Sequence, residues 1–155
     1  MLLNSMEFMR MNVQVRYLGG KKFEMTARNH HVDSDQPLND GGTDCAMTPP
    51  ELFLSSVGAC AAFYAEEYLQ ARGLPYEELE IRISAEKGDR PARITSVQLD
   101  VIAPGLNQRH RYGVLRAVDA CLIKHTLTVP PHIETRVLSA AGRPVEEPEL
   151  ALAGA

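Results

Sequence analysis

The sequence predicts an α+β fold in which antiparallel hairpins surround one long buried helix. Three observations carry that expectation. Two stretches of strict apolar–polar alternation turn back on themselves through Gly-rich segments, and short turns join antiparallel strands. Between them, Leu52 to Ala65 runs for 14 residues without a charge. A later segment places Val114, Val118, Cys121, Leu122 and His125 on one face at helical spacing. The implied order is ββ(β)αββαβ.

Each element has a local cause. In "VQVRYLGGKKFEMTAR", Val13 and Val15 alternate with polar neighbours, Gly19-Gly20 tolerates positive φ, and Phe23 and Met25 alternate on the return. "NHHVDSDQP" reads as a third short strand, and "LNDGGTDCAMT" as a loop rich in Gly and Asp. The long helix opens on Thr48 as N-cap and Pro49 at the first position, with Glu51 completing a T-x-x-E capping box. Gly73 and Pro75 end it, giving about 24 residues and roughly 36 Å. Ser55, Ser56, Gly58, Ala59, Ala61 and Ala62 let neighbours approach closely, and a mid-helix glycine implies a packing reason at Gly58. "ELEIRISAEKGD" and "ARITSVQLDVIAPG" form the second hairpin, "NQRHRYGVLRAVDACLIKH" the second helix, and "PPHIETRV" a last strand. Residues 1–11 read as an N-terminal extension, with Met9 or Met11 as an alternative start. Residues 12–138 read as a single domain and 139–155 as a flexible, Ala/Pro-rich tail.

Composition excludes several classes. A net charge of −4 with no Lys/Arg block argues against a nucleic-acid surface. No apolar run reaches the roughly 18 residues of a membrane span, and no basic region precedes an apolar one as in an export signal. A cytoplasmic protein is expected. The three cysteines are widely spaced, odd in number and without a CxxC, which fits reduced thiols. No histidine falls at zinc-ligand spacing from them, so neither a metal nor a bound cofactor is expected. The uncharged stretch of the long helix needs more cover than one thin sheet supplies, which predicts a homodimer.

The thiols are the candidate chemistry. Cys60 and Cys121 each lie on an apolar face of a helix, and both helices should line one core. A Cys60 thiolate would need a cation, since the helix N-terminal field fades within the first turn. Arg16, Lys21, Lys22 and Arg28 of the N-terminal hairpin are the candidates, and Glu51 could orient one of them, although the capping box alone explains Glu51. Phe53, Val57 and Tyr64 would wall an apolar substrate pocket. Cys45 lies in the loop before the helix with no evident partner. His125 could meet Cys121 across one helical turn.

"DGGTDCAMTPPELFLSSVGACAAFYAEEYLQARG" resembles the signature segment of the OsmC/Ohr family, the osmotically induced and organic hydroperoxide resistance proteins. It shares the Gly-rich loop, a T/N-P-x-E-L and a helix carrying G-x-C. "VLRAVDACLIKHTL" is similar to that family's second cysteine segment. The likeness spans roughly residues 12 to 138. It implies an intertwined homodimer with sites at the interface, and thiol-dependent reduction of hydroperoxides. Cys60 would be the attacking and Cys121 the resolving cysteine, with an external thiol as reductant. It also implies that Glu51 sits beside the site, bonded to an arginine. The hydroperoxide-resistance branch has that arginine directly after its Gly-Gly turn, where this sequence has Lys21, which keeps the charge without the planar fork. T-P-P-E-L is closer to the OsmC-like branch. The alternatives are a non-catalytic module binding a small hydrophobic ligand at the dimer interface, and an acyl or glutathionyl transferase using the same thiol.

Overall fold

The computed structural model describes residues 10–140. Met9, most of the N-terminal extension and nearly all of the C-terminal tail lie outside the described residues. The first sheet holds β1 (Gln14–Gly19), β2 (Lys22–Ala27) and β3 (His30–Ser34) in that order, antiparallel throughout. A 3₁₀ turn at Leu38–Asp40 leads into α1 (Pro49–Gln70). A long hairpin of β4 (Glu80–Asp89) and β5 (Ala92–Ile102) forms a second sheet. Two short helices follow, α2 (Gln108–Asp119) and α3 (Leu122–Thr128). The class is α+β, as the hairpins and the helical periods imply.

The first turn falls on Gly20-Lys21, because Gly19 pairs with Lys22, and both glycines adopt the positive φ that the turn requires. At the start of α1 the capping box is complete. The Thr48 N–H donates to Glu51 Oε2 at 2.7 Å, and the Glu51 N–H donates to Thr48 Oγ1 at 3.4 Å. Gly73, at φ +61, ends the helix, and the Leu74 N–H returns to the Leu69 carbonyl at 3.0 Å.

The core is built on one stripe of α1. Val57, Ala61, Ala65 and Leu69, four residues apart, are buried, and Ala61, Ala65 and Leu69 cluster with Val114 and Val118 of α2. Tyr68, Leu74, Tyr76, Leu79, Leu99 and Val101 complete the cluster from α1, its exit and the second hairpin. The opposite side of α1 is open in the single chain: Phe63 is 57% exposed. The helix is therefore covered on one side only. In the first sheet Val15, Tyr17 and Val32 are exposed as well, as is Val13 just before it.

Two expectations about element order are corrected. The second helix is interrupted. Ala120 closes α2, and Cys121, at φ −58 and ψ 127, is the non-helical N-cap of α3. The break turns Cys121 inward and sends Leu122 outward, where a continuous helix would have kept both on one face. An ion pair between Lys124 and Asp119 spans it. The segment "PPHIETRV" is not a strand. It runs without a ladder to an isolated bridge at Leu138, with Ile133 82% and Val137 71% exposed. A strand requires an edge to pair with, and none among the described residues receives this one. Among the described residues no helix is long and apolar enough to cross a membrane.

Gly58 does not owe its place to crowding within the chain. A Cβ there would meet Ile83 and Ile81 of β4 at 3.9 and 4.0 Å, ordinary contact distances. Gly113 is the opposite case, since a Cβ would overlap the Tyr68 ring. Gly58→Ala should therefore raise unfolding stability in denaturant by about 0.5–1 kcal/mol. Gly113→Ala should lower it by about 1–3 kcal/mol. A destabilised Gly58→Ala would show that something beyond the single chain presses on that face.

Candidate functional site

The structure brings Cys60 and Cys121 together. Cys60 sits half-buried on the third turn of α1, and Cys121 is 1% exposed at the start of α3. The two thiols are near enough for Cys60 to act on the ionisation of Cys121. The Cys121 thiol is held above the usual thiol range, first by burial and then by the hydrogen bond to Cys60. The amides of Lys124 and Ile123 at the start of α3 oppose this, although neither forms a side-chain cap bond with it. The arrangement is thus asymmetric, with a buried cysteine kept protonated behind one that is partly open.

The remaining candidates are dispersed. Glu51 precedes Cys60 by nine residues, which on a helix is about 13 Å along the axis and half a turn round it. Its carboxylate bonds to the Thr48 N–H and, at 2.8 Å, to Thr48 Oγ1, and these bonds hold its pKa below the usual carboxylate range. No arginine or lysine pairs with it among the described residues. Lys21 lies over the Gly-rich loop, where a Cβ on Gly41 would meet its Cε at 3.8 Å. Arg16 is engaged with Glu24 at 2.6 Å. Arg28 stands at the β2–β3 turn with φ +55. Within one chain, then, none of these groups bonds to Cys60, and Glu51 is a capping residue. His125 is on α3 with its carbonyl accepting from the Val129 N–H.

Of the expected pocket residues, Val57 is buried in the core, and Tyr64 packs edge-on against Phe63 with ring centroids 5.4 Å apart. Phe53 lines an apolar cavity of about 430 Å³ shared with Val15, Phe23, Met25, Ser34, Pro49 and Leu52. The alternation of Val13, Val15, Phe23 and Met25 marks an apolar sheet face. That this face meets the first turns of α1 depends on the tertiary fold. Among the described residues no group of three or more His, Cys, Asp or Glu is placed to hold a metal ion.

Asp35, not anticipated from the sequence, organises the loop before α1. It is fully buried, and its Oδ2 accepts from the Thr43 N–H at 2.9 Å, Thr43 Oγ1 at 2.7 Å and the Cys45 N–H at 3.3 Å. The Thr43 hydroxyl foremost holds its pKa well below the ordinary aspartate value. The only available signal was its place among Gly, Thr and Asp in a loop.

The fold is α+β with two neighbouring free thiols, one half-buried and one buried, and the sequence comparison supplies the family. The family described as OsmC-like protein matches residues 40–136, more than half of the 155-residue chain. The chain belongs to the OsmC family. A comparison with curated protein sequences finds no match. Solved structures share the fold. One is an organic hydroperoxide resistance protein OsmC of Legionella pneumophila, with TM-score 0.61 and 17% identity over 77% of this chain and 90% of that one. An OsmC-like protein of Mycoplasma pneumoniae gives 0.65 and 13% over 77% and 87%. The organic hydroperoxide resistance protein OhrB of Bacillus subtilis gives 0.53 and 22% over 76% and 90%.

The protonated state of Cys121 has a thermodynamic consequence. A group whose pKa is raised on folding stabilises the fold below its unfolded value and loses that contribution as pH rises through the folded value. Stability of the reduced protein should therefore fall with pH above the ordinary thiol value of about 8.5. Cys121→Ala should flatten that slope whatever it does to absolute stability. Denaturation midpoints between pH 7 and 10 would check this, and an unchanged slope would contradict it.

Proposed function

We propose that the protein is a thiol-dependent hydroperoxide reductase of oxidative-stress defence, acting as a homodimer with an external thiol as reductant. The observation that carries this reading is the contact between half-buried Cys60 and buried, protonated Cys121. Family membership and fold-mates named as organic hydroperoxide resistance proteins support it.

The chemistry follows from the asymmetry of the pair. The Cys60 thiolate attacks the distal oxygen of ROOH. The O–O bond breaks, and the alkoxide leaves as ROH with a proton from solvent. Cys60 becomes a sulfenic acid. The Cys121 thiol then attacks that sulfur, its proton leaves with the hydroxyl as water, and a Cys60–Cys121 disulfide forms. Two external thiols reduce the bond and become a disulfide. The thiolate needs a cation, and among the described residues no lysine or arginine side chain bonds to Cys60. The open side of α1, the exposed apolar faces of the first sheet and the unpaired Ile133–Val137 segment favour a second copy that covers this surface and brings Lys21 or another cation to the thiol. Glu51 would meet such a cation across the interface.

The cavity lined by Phe53 favours one other reading, a module that binds a small hydrophobic ligand with the cysteines as lining only. Ligand binding would then survive Cys60→Ser, and hydroperoxide would not consume thiols.

The variants separate the roles. Cys60→Ser should abolish hydroperoxide consumption. Cys121→Ser should react once per site and leave a Cys60 sulfenic acid that a dimedone-type probe traps. Wild type should show a Cys60–Cys121 bond by peptide mapping after one equivalent of hydroperoxide. Normal turnover by Cys60→Ser would refute the assignment. Cumene hydroperoxide should outpace hydrogen peroxide, since each buried CH₂ adds about 0.8 kcal/mol. Lys21→Met should slow the reaction if that lysine serves the thiolate.

Light scattering should give about twice 17.1 kDa. A well-folded monomer would remove the second copy from the site.

A further inference from the structure

The seam between the end of α1 and α2 opens a second cleft, away from the paired thiols. Tyr68 lies eight residues beyond Cys60, about 12 Å along the helix. The cleft has a volume of about 370 Å³ and is lined by Tyr68, Arg72, Gly113, Arg116 and Ala117. Tyr68 is fixed from several directions. Its hydroxyl is hydrogen-bonded to His110 Nδ1 at 3.2 Å. Gly113 passes so close to that hydroxyl that a Cβ would overlap it. The Arg72 guanidinium stacks on the Tyr68 ring, 3.7 Å from its centroid, and its Nη1 donates to the Tyr68 carbonyl at 3.2 Å. Arg72 is thus held in place by one residue, and most of its N–H donors remain unspent.

The charge in this cleft is not balanced from within the chain. Among the described residues neither Arg72 nor Arg116 pairs with a carboxylate. Asp119 is the one acid of α2, and Lys124 engages it. Glu66 and Glu67 precede Tyr68 on α1 without lining the cleft. Two guanidinium groups therefore border one cavity in a protein whose net charge is −4. Like charges brought together repel, and an anion between them turns that repulsion into attraction.

We propose that this cleft binds the phosphate group of a small organic phosphate monoester. A planar guanidinium presents paired N–H donors that match two oxygens of a phosphate. A phosphate monoester has three acceptor oxygens and close to two negative charges at neutral pH. It can therefore accept from Arg72 and Arg116 together and match both charges. A carboxylate offers two oxygens and one charge, enough for one of the two. The volume is in the range of small-molecule sites, and Gly113, Ala117 and the edge of the Tyr68 ring leave a less polar surface for the organic group.

The full-length protein is titrated with phenyl phosphate at about pH 8, where the probe is a dianion, with chloride holding the ionic strength constant and calorimetry as the readout. Saturable binding is expected. Inorganic phosphate should bind more weakly because it lacks the organic group, and benzoate more weakly because it lacks the second charge. Arg72→Gln and Arg116→Gln should each weaken phenyl phosphate binding by about tenfold or more, the loss expected of a charge-assisted pair. Arg116→Lys should recover only part of it, because the charge returns without the fork. Arg111 lines a separate cavity with Leu99 and Val101, so Arg111→Gln removes one positive charge from α2 and should bind as wild type does. Arg116 is exposed and has no contact with Tyr68 to lose, so its variants test the cleft even where Arg72→Gln unsettles the end of α1. Absence of saturable binding would overturn the proposal. So would equal affinity for inorganic phosphate or benzoate, wild-type affinity in Arg116→Gln, or a loss in Arg111→Gln as large as that in Arg116→Gln.

Discussion

The interruption of the helix at Cys121 is the constraint on which the thiol pair depends. A helix continued from α2 would carry Cys121 and Leu122 on one face. Closing α2 at Ala120 lets Cys121 adopt an extended backbone and turn its sulfur onto Cys60. The approach is possible because α1 presents Ala61 and Ala65 where α2 packs, and small side chains bring helix axes close. Small residues on one helix and a break in the other thus act together. The break alone would bury a cysteine against nothing, and the small stripe alone would leave Cys60 facing a helix with no thiol directed at it.

Burial then differentiates two chemically identical groups. Desolvation penalises a thiolate, so the fully buried member of the pair remains a thiol. A resolving cysteine needs that state less for nucleophilicity than for order. It must not compete for the substrate, and it must hold a proton that can leave with the hydroxyl of a sulfenic acid. Half-buried Cys60 is the member that a substrate can reach. In the proposed reaction the division of labour would follow from this difference in accessibility.

How much of this was legible depended on how local each cause is. The capping box at Thr48 and Glu51, the stop at Gly73 and the two hairpins are written within a few residues, and the structure has them where the residues point. The break at Ala120–Cys121 carries no Gly or Pro, and the apolar period of "VLRAVDACLIKH" continues straight through it. Only tertiary packing decides that the helix stops. "PPHIETRV" alternates like a strand, but pairing is a property of two segments, and its apolar side chains face outward here. Cys45 looked isolated because the residue that holds its N–H, Asp35, lies ten residues earlier across the Gly-rich loop. The meeting of Cys60 with Cys121 was anticipated because both lay on apolar helix faces bound for one core.

Glu51 and Asp35 show why a carboxylate near a motif needs its partners identified before it is given a role. Both are held ionised below the ordinary range by hydrogen bonds, chiefly from threonine groups. In the single chain Glu51 spends its acceptors on the start of α1, while Asp35, the first residue beyond β3, is bonded to Thr43, Cys45 and Met47. The two lie at successive points along one path. The first sheet, whose apolar faces are poorly covered, is tied through Asp35 to the loop, and the loop passes through Thr48 and Glu51 into the helix that carries Cys60. The entry to α1 is thus fixed by polar contacts and its middle by apolar ones. Loss of the charge at Asp35 therefore acts on the segment that sets the helix start, three turns from the paired thiols.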